Sequence, residues 1–249
     1  MGRRYSSKRN YSAKKRDAKR ISRRKLGTPS GVLVTRSPNA PKPYLGPGAD
    51  VKWNNSTLET LAPYTITMDS SGSVYHINEI AKGVSQNQRI GNSYRNIGVH
   101  LRGFVNQVPA SAVFAREDTV RMCLVWDTQP QGGLPVFNEI MQNTILSGSS
   151  ALPLYPDEER FKIFWSKTFT WGRAAGDSVC LARHEIDEYI GFPSYFVTKM
   201  SAGATAGGGI GLIRSGGLYL LVSSATAAAA SGLPEMLLNV KHFFDEHTY

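Results

Sequence analysis

The sequence contains little cysteine and little histidine, with two Cys and five His among its 249 residues. Cys123 and Cys180 lie far apart and neither belongs to a C-x-x-C pair, which excludes a disulfide scaffold and predicts reduced core thiols. The histidines show no ligand spacing, so we predict no metal site and no cofactor. No run of 18 apolar residues occurs and the first residues form no apolar segment, so we expect neither a membrane span nor a secretory signal.

The sequence also lacks a recognisable catalytic motif. His184 to Glu188 (HEIDE) opens like the zinc-protease motif H-E-x-x-H, but the second His is replaced by Glu and the segment is expected to be a strand. Gly203 to Gly209 (GATAGGG) has the glycines of a phosphate-binding loop without the Lys-Ser/Thr that closes it. No Ser/His/Asp or Cys/His arrangement stands out. We therefore predict no catalytic residues and a protein that is not an enzyme.

Charge is distributed very unevenly along the chain. Residues 1–50 hold 14 Lys and Arg but only two Asp, a net charge of +12, whereas residues 51–249 hold 15 basic and 17 acidic residues, a net charge of −2. Residues 1–26 contain almost no large aliphatic side chains, so we expect a disordered basic arm that cannot bury enough apolar surface to fold alone. Residues 27–50, with five prolines and four glycines, are predicted to form an extended linker.

The arm is the candidate functional site. Lys and Arg side chains bind phosphates through counterion release, so the arm predicts nucleic-acid binding, and Tyr5 and Tyr11 are placed to stack on unpaired bases. Two clusters, Lys14-Lys15-Arg16 and Arg23-Arg24-Lys25, also match a bipartite nuclear-import signal. The alternative is a solubilising tail with nonspecific charge. The predicted nucleic-acid-binding residues are Arg3, Arg4, Lys8, Arg9, Lys14, Lys15, Arg16, Lys19, Arg20, Arg23, Arg24 and Lys25.

Residues 51–249 are predicted to form one all-β domain. Apolar runs rich in Val, Ile, Tyr, Phe and Trp alternate with clusters of Gly, Pro, Asn and Ser, which indicates an antiparallel sandwich. Pro135 to Leu146 is predicted to be helical, with Val136, Phe137, Ile140 and Met141 on one face, whereas Val74 to Ala81 fits either a strand or a short helix. Strands are predicted near 58–68, 96–107, 119–126, 160–171, 178–189, 193–200, 216–224 and 236–245.

A series of short motifs follows the basic arm and linker. Glu79 to Gly83 (EIAKG) and Gln88 to Gly91 (QRIG) precede an apolar strand. Leu124 to Gly133 (LVWDTQPQGG), Arg160 to Ile163 (RFKI), Ile210 to Val222 and Val240 to Phe244 come next in that order. This order of segments resembles the coat proteins of geminiviruses and related small circular single-stranded-DNA viruses, in which the last four segments resemble a strand and turn, the next strand and the closing strands. The similarity covers most of residues 75–245, without the Cys and His cluster that some geminivirus coats carry in the arm.

This resemblance implies an eight-stranded antiparallel jelly roll of the viral capsid type. It further implies self-assembly into an icosahedral shell of about 60 copies, or a geminate multiple of that number. The shell would package single-stranded DNA through the arm, and a host nuclear-import receptor would bind the two clusters. The expected locations are the virion and the host nucleus, without a membrane partner. The competing interpretation is a nucleic-acid-binding or transport protein with a β-sandwich body that does not assemble.

Overall fold

The computed structural model describes ten segments of the chain, and the structural statements below concern these residues. They are 33–36, 51–58, 66–68, 70–106, 118–142, 152–153, 159–171, 183–201, 208–225 and 234–246. The strands are β1 (Leu33–Arg36), β2 (Val51–Leu58), β3 (Ile66–Thr67), β4 (Ser73–His76), β5 (Ser93–Asn106), β6 (Asp118–Asp127), β7 (Met141–Gln142), β8 (Leu152–Pro153), β9 (Phe161–Trp171), β10 (Arg183–Gly191), β11 (Val197–Met200), β12 (Ile213–Ser215), β13 (Gly217–Ser224) and β14 (Glu235–Asp245). The helices are α1 (Phe137–Ile140) and one turn of 3₁₀-helix (Ile210–Leu212).

The eight principal strands form two antiparallel sheets of four strands each. Sheet 1 has the order β2-β14-β5-β10 and sheet 2 has the order β4-β13-β6-β9. Counted along the chain, these strands are 1-8-3-6 in one sheet and 2-7-4-5 in the other, so the chain changes sheet at every connection except that between β6 and β9. This is the strand order of a jelly roll built from two Greek keys. The predicted all-β fold with an antiparallel jelly-roll sandwich is therefore confirmed.

The remaining strands extend this framework. β1 continues sheet 1 beyond β10, β3 pairs with the start of β14, and β11 pairs with both β12 and the first residues of β5. β7 and β8 pair with each other.

The apolar layer between the sheets follows from side-chain alternation along the strands. Leu124 on β6 pairs with Leu220 on β13, and both are fully buried. Trp126, on the same face of β6, stacks on Phe196 in the connection that follows β10 of sheet 1, with the ring centroids 4.5 Å apart. This face of sheet 2 therefore points towards sheet 1, where Val240 of β14 is buried.

Sheet 2 is covered on its other face as well. Cys123 and Val125 of β6 pack with Phe137 and Ile140 of α1 and with Tyr219 of β13. As a result all eight residues of β13 are buried, which explains why the sequence of this strand is a nearly continuous apolar run.

Most of the strand predictions are confirmed, and two predictions need correction. In the range predicted as a strand near 58–68, the structure describes β3 (Ile66–Thr67) and Leu58, residues 59–65 lie outside the described segments, and the sequence analysis missed the rest of β2 (Val51–Leu58). β2 was not predicted because its sequence is polar. Lys52 is buried because it forms an ion pair with Glu246, and Lys241 covers the ring of Trp53.

The second correction concerns the predicted helix over 135–146. It is helical only over Phe137–Ile140, Met141 enters β7, and residues 143–150 lie outside the described segments. Val136 is exposed to solvent, whereas Phe137 and Ile140 are buried as predicted. The undecided segment from Val74 begins within β4.

Within the range 27–50, predicted as a linker, Leu33–Arg36 form β1, which pairs with β10; the division into arm, linker and body remains a prediction. Cys123 is buried with a free thiol, as predicted, and Cys180 lies outside the described residues.

One buried and one half-buried histidine predict that the sandwich is sensitive to acid. His242 on β14 is 1% exposed, and neither of its ring nitrogens bonds to another described group. Burial lowers the pKa of His242 to about 3, with a further contribution from nearby His76. Burial also lowers the pKa of His76 to about 4, although a hydrogen bond with Asn78 opposes this shift. Both imidazoles are therefore neutral in the folded protein at neutral pH.

We predict that the protein loses stability as the pH falls below 6.5. The unfolded chain takes up protons at these histidines below their ordinary pKa of 6.5, while the folded chain does not. At about pH 4 His242 alone should lower the free energy of unfolding by on the order of 3 kcal/mol. His242→Phe should remove that part of the pH dependence, measured by chemical denaturation between about pH 4 and 7.5. His184→Phe, at a half-buried position on β10, is the matched control and should retain it; an unchanged pH dependence in His242→Phe would contradict the assignment.

Candidate functional site

The candidate site consists of the loops that connect strands at one end of the sandwich. β5 begins beside the end of β14, with Arg95 opposite Asp245, and β13 begins opposite the end of β6, with Gly217 opposite Asp127. The connections β4–β5, β6–β9 and β10–β13 therefore share one end of the jelly roll. They carry the large apolar side chains that are exposed in the described part of the chain, namely Val84, Ile90, Leu134, Val136 and Tyr195.

A buried polar network joins the two sheets at the base of these connections. The Asn78 amide donates to Thr198 Oγ1 and to the Gly216 carbonyl, both at 2.9 Å, and the Leu218 amide donates back to Asn78 Oδ1 at 2.9 Å. Asn96 on β5 also donates to Thr198 Oγ1 at 2.9 Å. Since an unpaired amide in this position would cost about 1–3 kcal/mol, the network fixes how the connections leave the sheets.

The β4–β5 connection contains a braced loop, residues 82–91, which we call the Val84 loop. The Gly83 amide donates to the Arg89 carbonyl at 2.8 Å, which closes the loop on itself. The Arg89 side chain is fully buried and donates through Nε to the Ile80 carbonyl at 3.2 Å and through Nη1 to the Gly91 carbonyl at 2.6 Å. Burial lowers the pKa of this guanidinium, and the charges of Tyr94 and Glu246 oppose the shift. The loop is thus held by a buried cation bonded to its own backbone.

Glu246 fastens the same loop to sheet 1 from the end of β14. Its carboxylate accepts hydrogen bonds from the Ile90 amide and, at 3.1 Å, from the Gly91 amide. It also accepts a charge-assisted bond from Lys52 Nζ at 2.9 Å, and Lys52 in turn donates to the Gln88 carbonyl at 3.1 Å. The Val84 loop is therefore fixed on both sides of its tip, although Val84 itself is 92% exposed.

The β6–β9 connection is held by a buried ion pair. Asp127, fully buried at the end of β6, accepts two hydrogen bonds from the Arg160 guanidinium, at 3.2 and 3.1 Å, and one from the Gln129 amide at 2.8 Å. Although burial disfavours the charged guanidinium, Asp127 raises the pKa of Arg160 overall. Burial and the Asp127 carboxylate both raise the pKa of the Tyr219 phenol.

An uncharged depression lies beside this connection, on the outer side of sheet 2. It has a volume of about 310 Å³, and we call it the Val136 depression. Gly72 adopts a positive φ of 73°, and a Cβ at this position would lie 2.4 Å from the Phe137 ring, so glycine is required for the ring to pack there. The lining residues are Ser71, Gly72, Val74, Leu134, Pro135, Val136, Phe137 and Asn138.

A second cleft, of about 460 Å³, opens between β9 and β10 and contains the HEIDE segment. The Glu188 carboxylate is buried and accepts bonds from Trp165 Nε1 at 3.1 Å and from Lys167, so it acts as a link between the sheets. His184 instead packs on the Phe169 ring. Because both residues lie on strand β10, their four-residue separation corresponds to about 13 Å, which is too far for one metal ion. This confirms that the segment is a strand without protease geometry.

Two further properties concern the described part of the chain. No group of three His, Cys, Asp or Glu side chains there could hold a metal ion. No helix there is long and apolar enough to cross a membrane.

The sequence-predicted nucleic-acid-binding residues all lie in residues 1–26, outside the described segments, as do both clusters of the predicted import signal. Their roles remain predictions. The sequence analysis missed the groups that brace the exposed connections, Arg89, Asp127 and Glu246. The signal was present for two of them, since Arg89 lies within the QRIG motif and Asp127 within the LVWD motif.

Comparison with known proteins gave no family model and no curated protein that matches this chain. Two solved structures show a weak similarity. One is the structure of infectious bursal disease virus Gx strain, at 10% identity and a TM-score of 0.16, covering 82% of this chain and 46% of that chain. The other is VP1 of Trichodysplasia spinulosa-associated polyomavirus, at 11% identity and a TM-score of 0.14, covering 89% of this chain and 98% of that chain. This chain thus spans about half the length of the first. At such scores neither similarity adds to the assignment of the fold, which depends on the strand order.

We predict that Glu246→Ala loosens the Val84 loop without unfolding the sandwich. In this variant the Ile90 and Gly91 amides lose their acceptor and Lys52 loses its counterion. Amide hydrogen exchange at residues 90 and 91 should therefore accelerate at least about tenfold. This factor corresponds to a loss of about 1.4 kcal/mol in local stability. Glu159→Ala is the matched control because that exposed carboxylate lies outside the loop. Equal exchange rates in the wild type and Glu246→Ala would contradict the proposed bracing.

Proposed function

We propose that this chain is the coat subunit of a small icosahedral virus and that it packages circular single-stranded DNA. The observation that carries the proposal is the combination of the jelly-roll strand order with a separate basic arm of 12 Lys and Arg in 26 residues. Jelly rolls also occur in lectins and cupins, so the fold alone does not give the function. The arm provides the second argument, because neither sugar binding nor the cupin type of metal chemistry requires such a density of positive charge.

The arm supplies binding to the genome. Twelve positive charges per subunit in a shell of about 60 copies give on the order of 700 charges to neutralise phosphates, each contact releasing counterions. This binding is independent of sequence and weakens steeply with salt. Tyr5 and Tyr11 add sequence-tolerant stacking on unpaired bases, which favours single-stranded over double-stranded nucleic acid.

The body supplies self-association. Its net charge of −2 places 15 basic and 17 acidic groups over one domain, so identical bodies can approach without strong repulsion. The arms, at a net charge of +11 each, repel one another until nucleic acid screens them. Binding of single-stranded DNA therefore promotes assembly, because it removes this repulsion and concentrates subunits along one strand.

Assembly is tested by adding single-stranded DNA to the purified full-length protein. We expect closed particles of megadalton mass in electron microscopy and sedimentation, formed at lower protein concentration with DNA than without it. A protein that remains a monomer or small oligomer under all conditions would overturn the coat-subunit assignment. If it still bound DNA, that result would favour the alternative of a nucleic-acid-binding or transport protein that does not assemble.

Deleting residues 1–26 tests the arm. The deletion should abolish tight DNA binding and flatten the salt dependence, whose slope for a single strand is about −0.7 per phosphate neutralised. Circular dichroism and the thermal midpoint check that the body remains folded. A variant with Tyr5 and Tyr11 changed to Ser keeps all the charge and is the matched control; it should retain the salt slope. Unchanged DNA affinity in the deletion would remove the arm from the proposed function.

The two basic clusters are proposed to direct the protein to the host nucleus. Fused to a fluorescent reporter, residues 1–26 should enter nuclei, and alanine at Lys14, Lys15, Arg16, Arg23, Arg24 and Lys25 should prevent entry. Alanine at Arg3, Arg4, Lys8 and Arg9 removes four positive charges outside the clusters and should leave import intact. Import that survives loss of both clusters would contradict the assignment.

A further inference from the structure

The Val84 loop exposes apolar surface on a fixed scaffold. Val84 is 92% exposed and Ile90 is 59% exposed, although the loop is held by Arg89 and Glu246. Residues 83–88 (GVSQNQ) contain no charged side chain. Single exposed apolar residues are ordinary on protein surfaces, but here two of them flank an uncharged tip whose backbone is already ordered. Such a projection can be buried in a contact at little additional cost in conformational entropy.

The Val136 depression has matching chemistry. None of its eight lining residues carries a charge, and Val136 at its rim is 61% exposed. Its volume of about 310 Å³ is near the lower limit of ordinary binding pockets, so it suits a few side chains of a loop better than a helix or a sheet edge. The tip of the loop, residues 83–88, and the lining of the depression both lack the charged groups whose desolvation opposes burial, as is usual for the centre of a protein interface.

We propose that the Val84 loop of one copy docks into the Val136 depression of a second copy. The loop cannot fill the depression of its own chain, since Val84 is almost fully exposed in the folded subunit. A contact between two different patches is heterologous, so it leaves one free loop and one free depression on every pair and continues to the next copy. Such contacts close into rings when the rotation permits. The inference rests on the proposed function, for which it names the surface through which the subunits associate.

The contact is tested first by charge substitution in the full-length protein. Val84→Glu and Val136→Lys each place one charge in the apolar contact, and each should reduce the yield of particles at least about tenfold. The double variant places Glu on every loop and Lys in every depression, and it should recover most of the yield. Both side chains are exposed, so thermal midpoints should stay near that of the wild type. Tyr195→Glu, at a position that is 62% exposed but outside both surfaces, is the matched control and should assemble normally.

A disulfide trap identifies the contact directly. Val84→Cys and Val136→Cys proteins are mixed and oxidised, and mass spectrometry should find the 84–136 cross-link between chains, whereas Tyr195→Cys mixed with Val136→Cys should give none. If the wild type forms particles while the single charge variants assemble normally or the cross-link is absent, the contact is overturned and the proposed function stands. If the wild type forms no particles but the cross-link forms in small oligomers, the contact stands and the shell is overturned. Absence of both particles and cross-link overturns both.

Discussion

The other features of the molecule depend on the packing of the two sheets against each other. Between the sheets lie buried side chains such as Leu124, Leu220 and Val240, which come from the inward-facing rows of their strands. The strand order forces the chain to cross from one sheet to the other at nearly every connection. As a result, most neighbouring strands in each sheet come from parts of the chain that are distant in sequence. Burial of these rows, at about 25 cal/mol per Å² of apolar surface, supplies the stability against which the connections can be elaborated. The exposed loops lie within these connections, whose buried residues, such as Phe196, still pack between the sheets.

Polar groups inside the sandwich are tolerated because most of them have partners. Glu188 is neutralised by Lys167 and bonded by Trp165, so a carboxylate inside the sandwich links β10 to β9 across the sheets. On the outer side of sheet 2, the buried Asp127 carboxylate is likewise paired, with the Arg160 guanidinium. A buried ion pair contributes little net stability compared with apolar packing, but removal of one partner is costly, so these pairs fix one arrangement of the connections. His242 differs from them in remaining neutral, and its burial links the integrity of the sandwich to pH.

The division of charge along the chain gives the two parts of the protein different interactions. The body combines near-neutral charge with exposed apolar side chains on braced loops, which favours contacts between identical subunits. The arm combines high positive charge with a lack of apolar side chains, which favours phosphates and opposes a core of its own. In the proposed function, a single chain binds both its own copies and a polyanion, and the polyanion reduces the repulsion that limits self-association.

The all-β class, most strand positions and the concentration of positive charge in the N-terminal 26 residues could be predicted from the sequence. These features are local, since alternation of apolar residues and the density of Lys and Arg can be read within short windows. The sequence also led to errors where long-range contacts decide. β2 reads as polar because Lys52 and Trp53 depend on Glu246 and Lys241, nearly 200 residues away. The helix predicted from Pro135 ends after Ile140 because Met141 enters β7, which pairs with β8 about ten residues further along the chain. Which strands are neighbours, and which charged groups brace the exposed loops, became known from the fold, because both depend on contacts between residues that are distant in sequence.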